Sequence, residues 1–371
     1  MKRLLIAICT LLGTLLSTLL LPSCGVTIEV ENELDFAREG EVIEIEWQEL
    51  RGEALSPENV VVYALDGSQC PSQVVFDGDG KPTALLIAAT VEANSSTIYN
   101  IRRGTREQYP QRVFGRYVPE RMDDYAWEND LTAYRIYGPQ LKDPKTQGVD
   151  VWVKNTPKLI IDEWFERADY HHNYGEGMDC YKVGNTLGGG AMALTEGGKI
   201  VLSGNYTRQQ CTANGPLRTK AEFEYAPVSV GGKQVTMHRT IWLDAGSRFT
   251  CQEYRFEGFE GKIEVAAGIV LHDVKAHDSG ADYVAITEAA SDTKEPERDG
   301  DISLAVILQG GHKATTMDNH AVVLRSVQAG ESIRMWSGSA WSLAGMESHA
   351  EWLSEVEKMN RRIASPLRVK H

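Results

Sequence analysis

Apolar and polar residues alternate along much of the chain, and this alternation predicts β-strands. One segment shows the pattern clearly, with apolar side chains on one face and acidic side chains on the other: Ile43, Ile45 and Trp47 against Glu44 and Glu46. Apolar runs at 60–65 and 84–88 follow, and Asp-Gly turn signals at 66–67 and 77–80 punctuate them. Residues 25–104 are therefore predicted to form a small antiparallel β-sandwich.

A longer region of the same kind begins near residue 130. Period-two patterns recur at 134–137, 149–153, 234–243 and 249–256, with further candidate strands at 263–271, 303–308, 320–326 and 331–336. Because no helical pattern separates these strands, a parallel α/β layout is excluded. The pattern predicts a large antiparallel sandwich over 122–365, joined to the first unit by the polar, arginine-rich linker 105–121.

One helix is predicted, near the C-terminus. Ser348 and Glu351 have the spacing of a capping box, and apolar residues then recur on one helical face: Leu353, Val356, Met359 and Ile363. The helix is expected to close the sandwich and to take no part in catalysis. The predicted fold class is therefore all-β, with a small sandwich, a large sandwich and one C-terminal helix.

The first 24 residues predict export. Lys2 and Arg3 precede an apolar run over 4–21, and small residues lead into Cys24. This order resembles a bacterial lipoprotein signal, so 1–23 are predicted to be cleaved and Cys24 to carry the lipid. A plain secretory signal and an uncleaved membrane anchor are the alternatives. The expected location is exported and lipid-anchored, on the periplasmic or outer side of a bacterial membrane.

Charge and cysteine content argue against nucleic-acid binding and zinc binding. The chain has 52 acidic and 38 basic residues and a formal net charge of −14, which argues against a nucleic-acid partner. Besides Cys24, the mature chain has four cysteines, namely Cys70, Cys180, Cys211 and Cys251. They allow three disulfide pairings, but small buried thiols are the favoured interpretation. No Cys/His spacing suggests zinc.

Two polar segments hold most of the candidate chemistry. The segment 123–130 combines carboxylates with Tyr125, Trp127 and Asn129, and the segment 168–190 combines histidines, tyrosines, carboxylates and six glycines. A loop of this length in a compact domain is usually functional or disordered, and its aromatic content argues against disorder. The catalytic candidates are Tyr170, His171, His172, Arg218, Glu176 and Asp179. The substrate-binding candidates are Trp127, Glu128, Asn129, Asp130, Trp152 and Lys182.

Each candidate also has a purely structural interpretation. Adjacent histidines in extended chain point to opposite faces, so only one of His171 and His172 is expected in a cleft. Glu176 and Asp179 are an acid/base pair, calcium ligands or caps of their own loop. The two tryptophans are either sugar platforms or core residues, and Arg218 either reaches a substrate carboxylate or forms a surface salt bridge. No cofactor is expected, although a structural calcium ion is left open.

Several of these motifs resemble one bacterial family. They are Glu33-Leu34-Asp35-Phe36-Ala37-Arg38 with Trp47, Trp127-Glu128-Asn129-Asp130 with 134–139, Gly148 to Trp152, Tyr170-His171 with 175–179, and Asn214-Gly215-Pro216-Leu217-Arg218. The chain is similar over almost all of its mature length to the domain-of-unknown-function family 4861, lipoproteins of polysaccharide-utilisation systems. The resemblance implies a galactose-mutarotase-like supersandwich behind a small β domain, and it implies no mechanism.

Three functions fit these observations. The first is a lyase that cleaves uronic-acid glycans by β-elimination, with Arg218 or Asn129 at the substrate carboxylate and Tyr170, His171 or His172 moving protons. The second is a glycoside hydrolase with two carboxylates among Glu128, Asp130, Glu176 and Asp179. The third is a glycan-binding lipoprotein without activity. An acidic glycan is the expected partner, and contact with a membrane is expected only through the lipid.

Overall fold

The computed structural model of the protein describes residues 25–50 and 55–371. The predicted signal sequence and Cys24 lie outside the described residues. The strands are β1 (Gly25–Asn32), β2 (Arg38–Glu46), β3 (Val60–Tyr63), β4 (Gln69–Cys70), β5 (Ser72–Phe76), β6 (Pro82–Val91), β7 (Ser95–Arg103), β8 (Val113–Val118), β9 (Asp124–Asn129), β10 (Ala133–Ile136), β11 (Asp150–Lys154), β12 (Gly177–Asp179), β13 (Ala191–Glu196), β14 (Lys199–Val201), β15 (Tyr206–Asn214), β16 (Arg218–Tyr225), β17 (Val228–Val230), β18 (Lys233–Asp244), β19 (Phe249–Glu257), β20 (Lys262–Val270), β21 (Val274–Ser279), β22 (Tyr283–Ala289), β23 (Asp301–Leu308), β24 (Lys313–Met317), β25 (His320–Gln328), β26 (Ser332–Trp341) and β27 (Arg368–Lys370). The α-helices are α1 (Ile161–Glu166) and α2 (His349–Ala364), and 3₁₀ turns span Trp47–Leu50 and Ser342–Ala344.

The first unit is a small sandwich of two antiparallel sheets. One sheet has the order β27-β1-β7-β3-β4 and the other has the order β2-β6-β5. Ile43 and Ile45 are buried in the core between the sheets while Glu44 and Glu46 are exposed, as the alternation predicts. The 77–80 signal forms a tight turn, in which the Asp77 carboxylate accepts hydrogen bonds from the amides of Asp79 and Lys81. The last strand of the chain, β27, pairs with β1, so the C-terminus returns to this unit.

The second unit is a large sandwich of three sheets. Sheet I (β12-β11-β10-β9-β8) and sheet II (β14-β13-β20-β25-β24) both pack on one face of the nine-stranded sheet III, which has the order β15-β16-β18-β19-β26-β23-β22-β21 with β17 added to β18. One apolar core fills the space between them. The stretch 105–121 supplies β8, which pairs with β9 at the edge of sheet I. The predicted all-β fold is confirmed.

Helix α2 packs on the outer face of sheet III. Ser348 and Glu351 form the predicted capping box, and Trp352 and Val356 are buried. The Trp352 ring stacks on Phe249 with the ring centroids 5.5 Å apart. Helix α1 is a second helix that the sequence analysis does not predict, because six residues are too few to show a helical period.

The four cysteines within the described residues are free thiols. Cys70, Cys180 and Cys251 are buried, as the favoured interpretation holds, whereas Cys211 is exposed on β15. Within 25–50 and 55–371, no helix has the length and apolar character needed to cross a membrane.

Candidate functional site

The outer face of sheet I, which points away from the core, carries buried charged residues. Strand alternation sends Tyr125, Tyr134, Val151 and Met178 into the core and sends the charged neighbours outward. In the pairing register Arg135 lies opposite Asp150. The segment 155–176, which contains α1, leads from β11 to β12 and packs over this face, where Trp164 stacks on Trp152. We call the group on this face the Arg135 cluster: Asp124, Arg135, Asp150, Asp179, Tyr170 and His171.

Arg135 is the centre of the cluster. Its Nη2 atom lies 2.6 Å from Asp150 Oδ2 and 2.8 Å from Asp179 Oδ2. Its Nε atom lies 3.8 Å from Asp124 Oδ2. All four side chains are at most 3% exposed, so three buried carboxyl groups surround one buried guanidinium.

Burial of these carboxyl groups makes them bind protons more tightly. Burial raises the pKa of Asp124 to about 6, against the opposing effect of Arg135. Burial, with the neighbouring Asp150 carboxylate as the next cause, raises the pKa of Asp179 well above its ordinary range. One oxygen of each of the three carboxyl groups has no hydrogen-bond partner among the described residues. The cluster is therefore short of positive charge and of hydrogen-bond donors.

Tyr170 lies at the mouth of the cluster, where it is half-buried. Its Oη atom is 3.3 Å from Arg135 Nη1 and 3.4 Å from Arg121 Nε. Because a guanidinium can only donate hydrogen bonds, the phenol oxygen accepts both and keeps its own hydrogen for another acceptor. The ring stacks on Trp152 at a centroid distance of 5.5 Å, which fixes the direction of the hydroxyl. Tyr170 can therefore donate a proton toward solvent.

His171 stands beside Tyr170 at the same mouth, with 37% of its side chain exposed. Its Nδ1 atom is 3.2 Å from the backbone oxygen of Asp179. A carbonyl can only accept, so we assign the proton to Nδ1, and Nε2 of the neutral ring carries the free lone pair. Nε2 lies 3.8 Å from Asp179 Oδ2. His171 therefore has the arrangement of a general base.

A strained turn brings Arg121 and Asp124 to the cluster. Met122 and Asp123 both have left-handed backbone conformations, with φ of 53° and 63°. Such residues cost free energy and are commonly found at functional sites. Gly138 makes the turn fit, because a Cβ atom there would lie 1.9 Å from the backbone oxygen of Asp123.

The sequence matches one known family over nearly its whole described length. The family is described as "Domain of unknown function (DUF4861)", and it matches residues 30–369. The chain belongs to this family. A curated relative, "Uncharacterized protein P7" of Formosa agariphila, is 27% identical in an alignment 378 positions long, which covers 92% of each chain.

Two solved structures from Enterococcus faecalis share the fold of this DUF4861 protein. An alpha-mannosidase has a TM-score of 0.56 at 8% identity, and a protein in glycosyl hydrolase family 38 has a TM-score of 0.55 at 9% identity. Each match covers 94% of this chain but only 46% and 47% of those chains, so the DUF4861 protein spans about half their length. At such identity the likeness concerns the fold alone.

The predicted segments 123–130 and 168–190 of the DUF4861 protein both contribute to the Arg135 cluster, whereas the catalytic candidate Arg218 does not. Arg218 follows the turn 214–217 and points to the outer face of sheet III, so the core separates it from the cluster on sheet I. Its guanidinium binds Asp244 and Glu44, each at 2.6 Å. The Gln73 side chain accepts hydrogen bonds from the amides of Leu217 and Arg218. Arg218 is therefore a contact between the two units. The half-buried Arg121 is the arginine that lies beside Tyr170 at the cluster mouth.

The two tryptophans that were predicted to be sugar platforms are buried. Trp127 and Trp152 are each 1% exposed, so neither ring can stack on a sugar. The Trp127 Nε1 atom donates to Thr250 in the core. Trp152 lies between Trp164 and Tyr170 under the segment 155–176.

The polar residues after Trp127 have structural partners as well. Glu128 binds Lys154 at 2.8 Å and accepts hydrogen bonds from the amides of Ile160 and Ile161 at the start of α1. The buried Asn129 caps the 131–132 turn, and Asp130 pairs with Arg112 at 2.6 Å. The substrate-binding role predicted for these three side chains therefore has no support in their contacts.

Three further candidates lie around the cluster without joining it. The His172 ring packs edge-on against Tyr174, with centroids 4.6 Å apart. Glu176 pairs with Lys158 at 2.5 Å and with Arg167 at 3.5 Å, so it does not face Asp179 across a cleft. Lys182 is exposed beyond the end of β12.

His272 is a further histidine held by a carboxylate, and no sequence pattern marks it as a candidate. His272 Nδ1 lies 2.7 Å from Glu288 Oε1, and this hydrogen bond raises the pKa of His272. Only the position of the histidine directly after the strand-like run 263–271 could have drawn attention to it. Within the described residues, no group of three or more His, Cys, Asp or Glu side chains has the geometry to hold a metal ion.

Proposed function

We propose that this DUF4861 protein is a carbohydrate-active enzyme that cleaves uronic-acid-containing glycans by β-elimination at the Arg135 cluster. The observation that carries the proposal is the pairing of Tyr170 and His171 at the cluster mouth, with ring centroids 4.9 Å apart. One side chain offers a basic nitrogen and the other offers a hydroxyl proton, and both are accessible. β-Elimination requires a base and an acid of this kind next to the sugar ring.

Each step of the reaction has a residue in this arrangement. Arg121, which is 30% exposed, pairs with the substrate carboxylate and stabilises the charge that develops there. His171 Nε2 takes the proton from C5, the electrons of that bond form the C4=C5 double bond, and the C4–O bond breaks. The Tyr170 hydroxyl protonates the departing oxygen. Arg135 and Arg121 then face the phenolate.

Glycan chemistry is supported by the fold. The two Enterococcus faecalis structures that share it are an alpha-mannosidase and a protein in glycosyl hydrolase family 38. The chain spans about half of their length, so we carry over the substrate class and not the mannosidase activity.

The contacts do not favour the hydrolase alternative. A hydrolase needs two carboxyl groups that flank an accessible glycosidic bond. Asp150 and Asp179 are 1% exposed and bind the same guanidinium, so no sugar ring can lie between them. Glu176 is held by Lys158 and Arg167.

Product analysis tests the proposal. Purified protein is incubated with a panel of uronic-acid and neutral glycans while ultraviolet absorbance and reducing ends are recorded. We expect both signals to rise together on uronic-acid glycans, because each β-elimination creates one conjugated double bond and one reducing end. Tyr170→Phe should lose about 10²–10⁴-fold in rate, and the exposed Tyr174→Phe is the matched control. New reducing ends without a rise in absorbance would indicate a hydrolase. The absence of both signals on every glycan would contradict an enzymatic function.

A further inference from the structure

A groove of about 820 Å³ lies on the outer face of sheet III, away from the Arg135 cluster. Helix α2 forms one wall through Met359 and Ile363, and the segment 37–44 of the first unit forms another. Since both units contribute walls, the groove exists only in the assembled chain. Nothing in the reaction proposed above uses it.

The floor of the groove is a row of side chains across three neighbouring strands. Trp242 pairs with Cys251, and Cys251 pairs with Trp336. Trp242 and Trp336 are half-buried, whereas Cys251 is small and buried. The two tryptophans are therefore two strand spacings apart, roughly 10 Å. This distance suits a short oligomer lying across the strands.

Arg248 also lines this groove. Within the described residues, its guanidinium makes no hydrogen bond and has no carboxylate within 4 Å, although the side chain is half-buried. The nearby Glu355 is paired with Lys358 at 2.8 Å. A half-buried cation without a counter-ion is costly, and an anionic ligand would remove that cost.

The acidic residues of the groove have ion-pair partners, with one exposed exception. Asp244 and Glu44 bind Arg218, and Glu41 binds Arg38. Glu39 is exposed and has no ion-pair partner among the described residues. Among the described residues that line the groove, Arg248 is therefore the cation without an ion-pair partner.

We infer that this groove is a second carbohydrate-binding site, which holds an anionic oligosaccharide with Arg248 at an acidic group and Trp242 and Trp336 beneath the sugar rings. The inference rests on the proposed glycan substrate, because it names a second contact for the same kind of polymer. A long chain held here would stay close to the enzyme between cleavages.

Isothermal titration calorimetry with three tetrasaccharides tests this inference. The probes are a galacturonate tetramer, a sulfated neutral tetramer and an unmodified neutral tetramer, so that carboxylate and sulfate recognition can be told apart. The wild-type protein and His171→Ala should both bind at least one anionic tetramer and bind the neutral tetramer at least tenfold more weakly. Arg248→Gln should weaken the anionic complex about tenfold or more, and Arg248→Lys should restore part of the affinity.

Arg103→Gln is the matched control, because it removes one exposed arginine of the first unit outside the groove. Its affinity should equal that of the wild type. The inference would be overturned, even if the enzyme cleaves glycans, by either of two results. One is an Arg248→Gln variant that binds the anionic tetramer as tightly as the wild type does, and the other is a neutral tetramer that binds as tightly as the anionic ones. Binding that depends on Arg248 in a protein without turnover would support the groove and contradict only the lyase.

Discussion

At the residue scale, the buried Arg135 guanidinium and the half-buried Arg121 guanidinium face three buried carboxyl groups, and this shortage of positive charge determines how the cluster responds to pH. Burial raises the pKa of Asp124 from 3.8 to about 6. Between these two values the folded protein holds a proton that the unfolded chain has released. The free energy of unfolding contributed by Asp124 therefore falls as the pH rises from about 4 to about 6, and it is constant above that range.

Asp124→Asn should remove this dependence. The neutral amide can still accept the hydrogen bond from the Gly138 amide, which Asp124 Oδ1 accepts in the wild type. We expect the stability of the variant relative to the wild type to increase by roughly 2–3 kcal/mol between pH 4 and pH 7. Denaturant unfolding at several pH values measures this, with Asp79→Asn on an exposed turn as the control. A pH-independent difference would show that Asp124 titrates normally.

Residue chemistry was partly readable from the sequence. The mixture of histidine, tyrosine and carboxylate in 168–190 pointed to Tyr170, His171 and Asp179, which the structure brings together. Arg135 and Asp150 were missed because charged residues alternating with apolar ones in a strand normally face solvent. Only the covering segment 155–176 buries them, and that packing is a tertiary effect.

At the element scale, local signals predicted the elements that are long and regular. Ser348 and Glu351 form the expected capping box of α2, and the Ile43/Ile45 alternation places β2 correctly. Helix α1 had no local signal, since Glu128, more than thirty residues earlier in the chain, binds its first amides. Strand β27 was not predicted either, because it is three residues long and pairs with β1 at the other end of the chain.

At the scale of the whole molecule, the motif 214–218 joins the two units. Gln73 Oε1 accepts hydrogen bonds from the Leu217 and Arg218 amides at 2.9 and 2.8 Å, and Gln73 Nε2 donates to the Arg218 carbonyl at 3.0 Å. A Cβ atom on Gly215 would lie 2.5 Å from the Gln73 side chain. The glycine is therefore needed for the units to dock, and sequence alone could not separate docking from catalysis.

Gln73→Ala tests this assignment. Two buried amides would lose their acceptor, so the free energy of unfolding should fall by about 1–3 kcal/mol. Turnover should change less than threefold, because the hydrogen bonds of Gln73 go to the turn and to none of the residues of the Arg135 cluster. Denaturant unfolding and initial rates are measured together, with the exposed Gln234→Ala as the control. Unchanged stability with lost turnover would place the motif in the active site instead.

The central claim is that His171 acts as the base at the cluster mouth. The turnover number of a variant that lacks the His171 ring tests this claim most directly. The kcat of His171→Ala is compared with that of His172→Ala on the uronic-acid glycan that the wild type cleaves fastest. His172→Ala is the control because it removes the neighbouring ring, which packs on Tyr174. We predict that His171→Ala lowers kcat by about 10²–10⁴-fold while the fold remains intact, and that His172→Ala stays within threefold of the wild type. A near-normal kcat in His171→Ala, or an equal loss in both variants, would contradict this account.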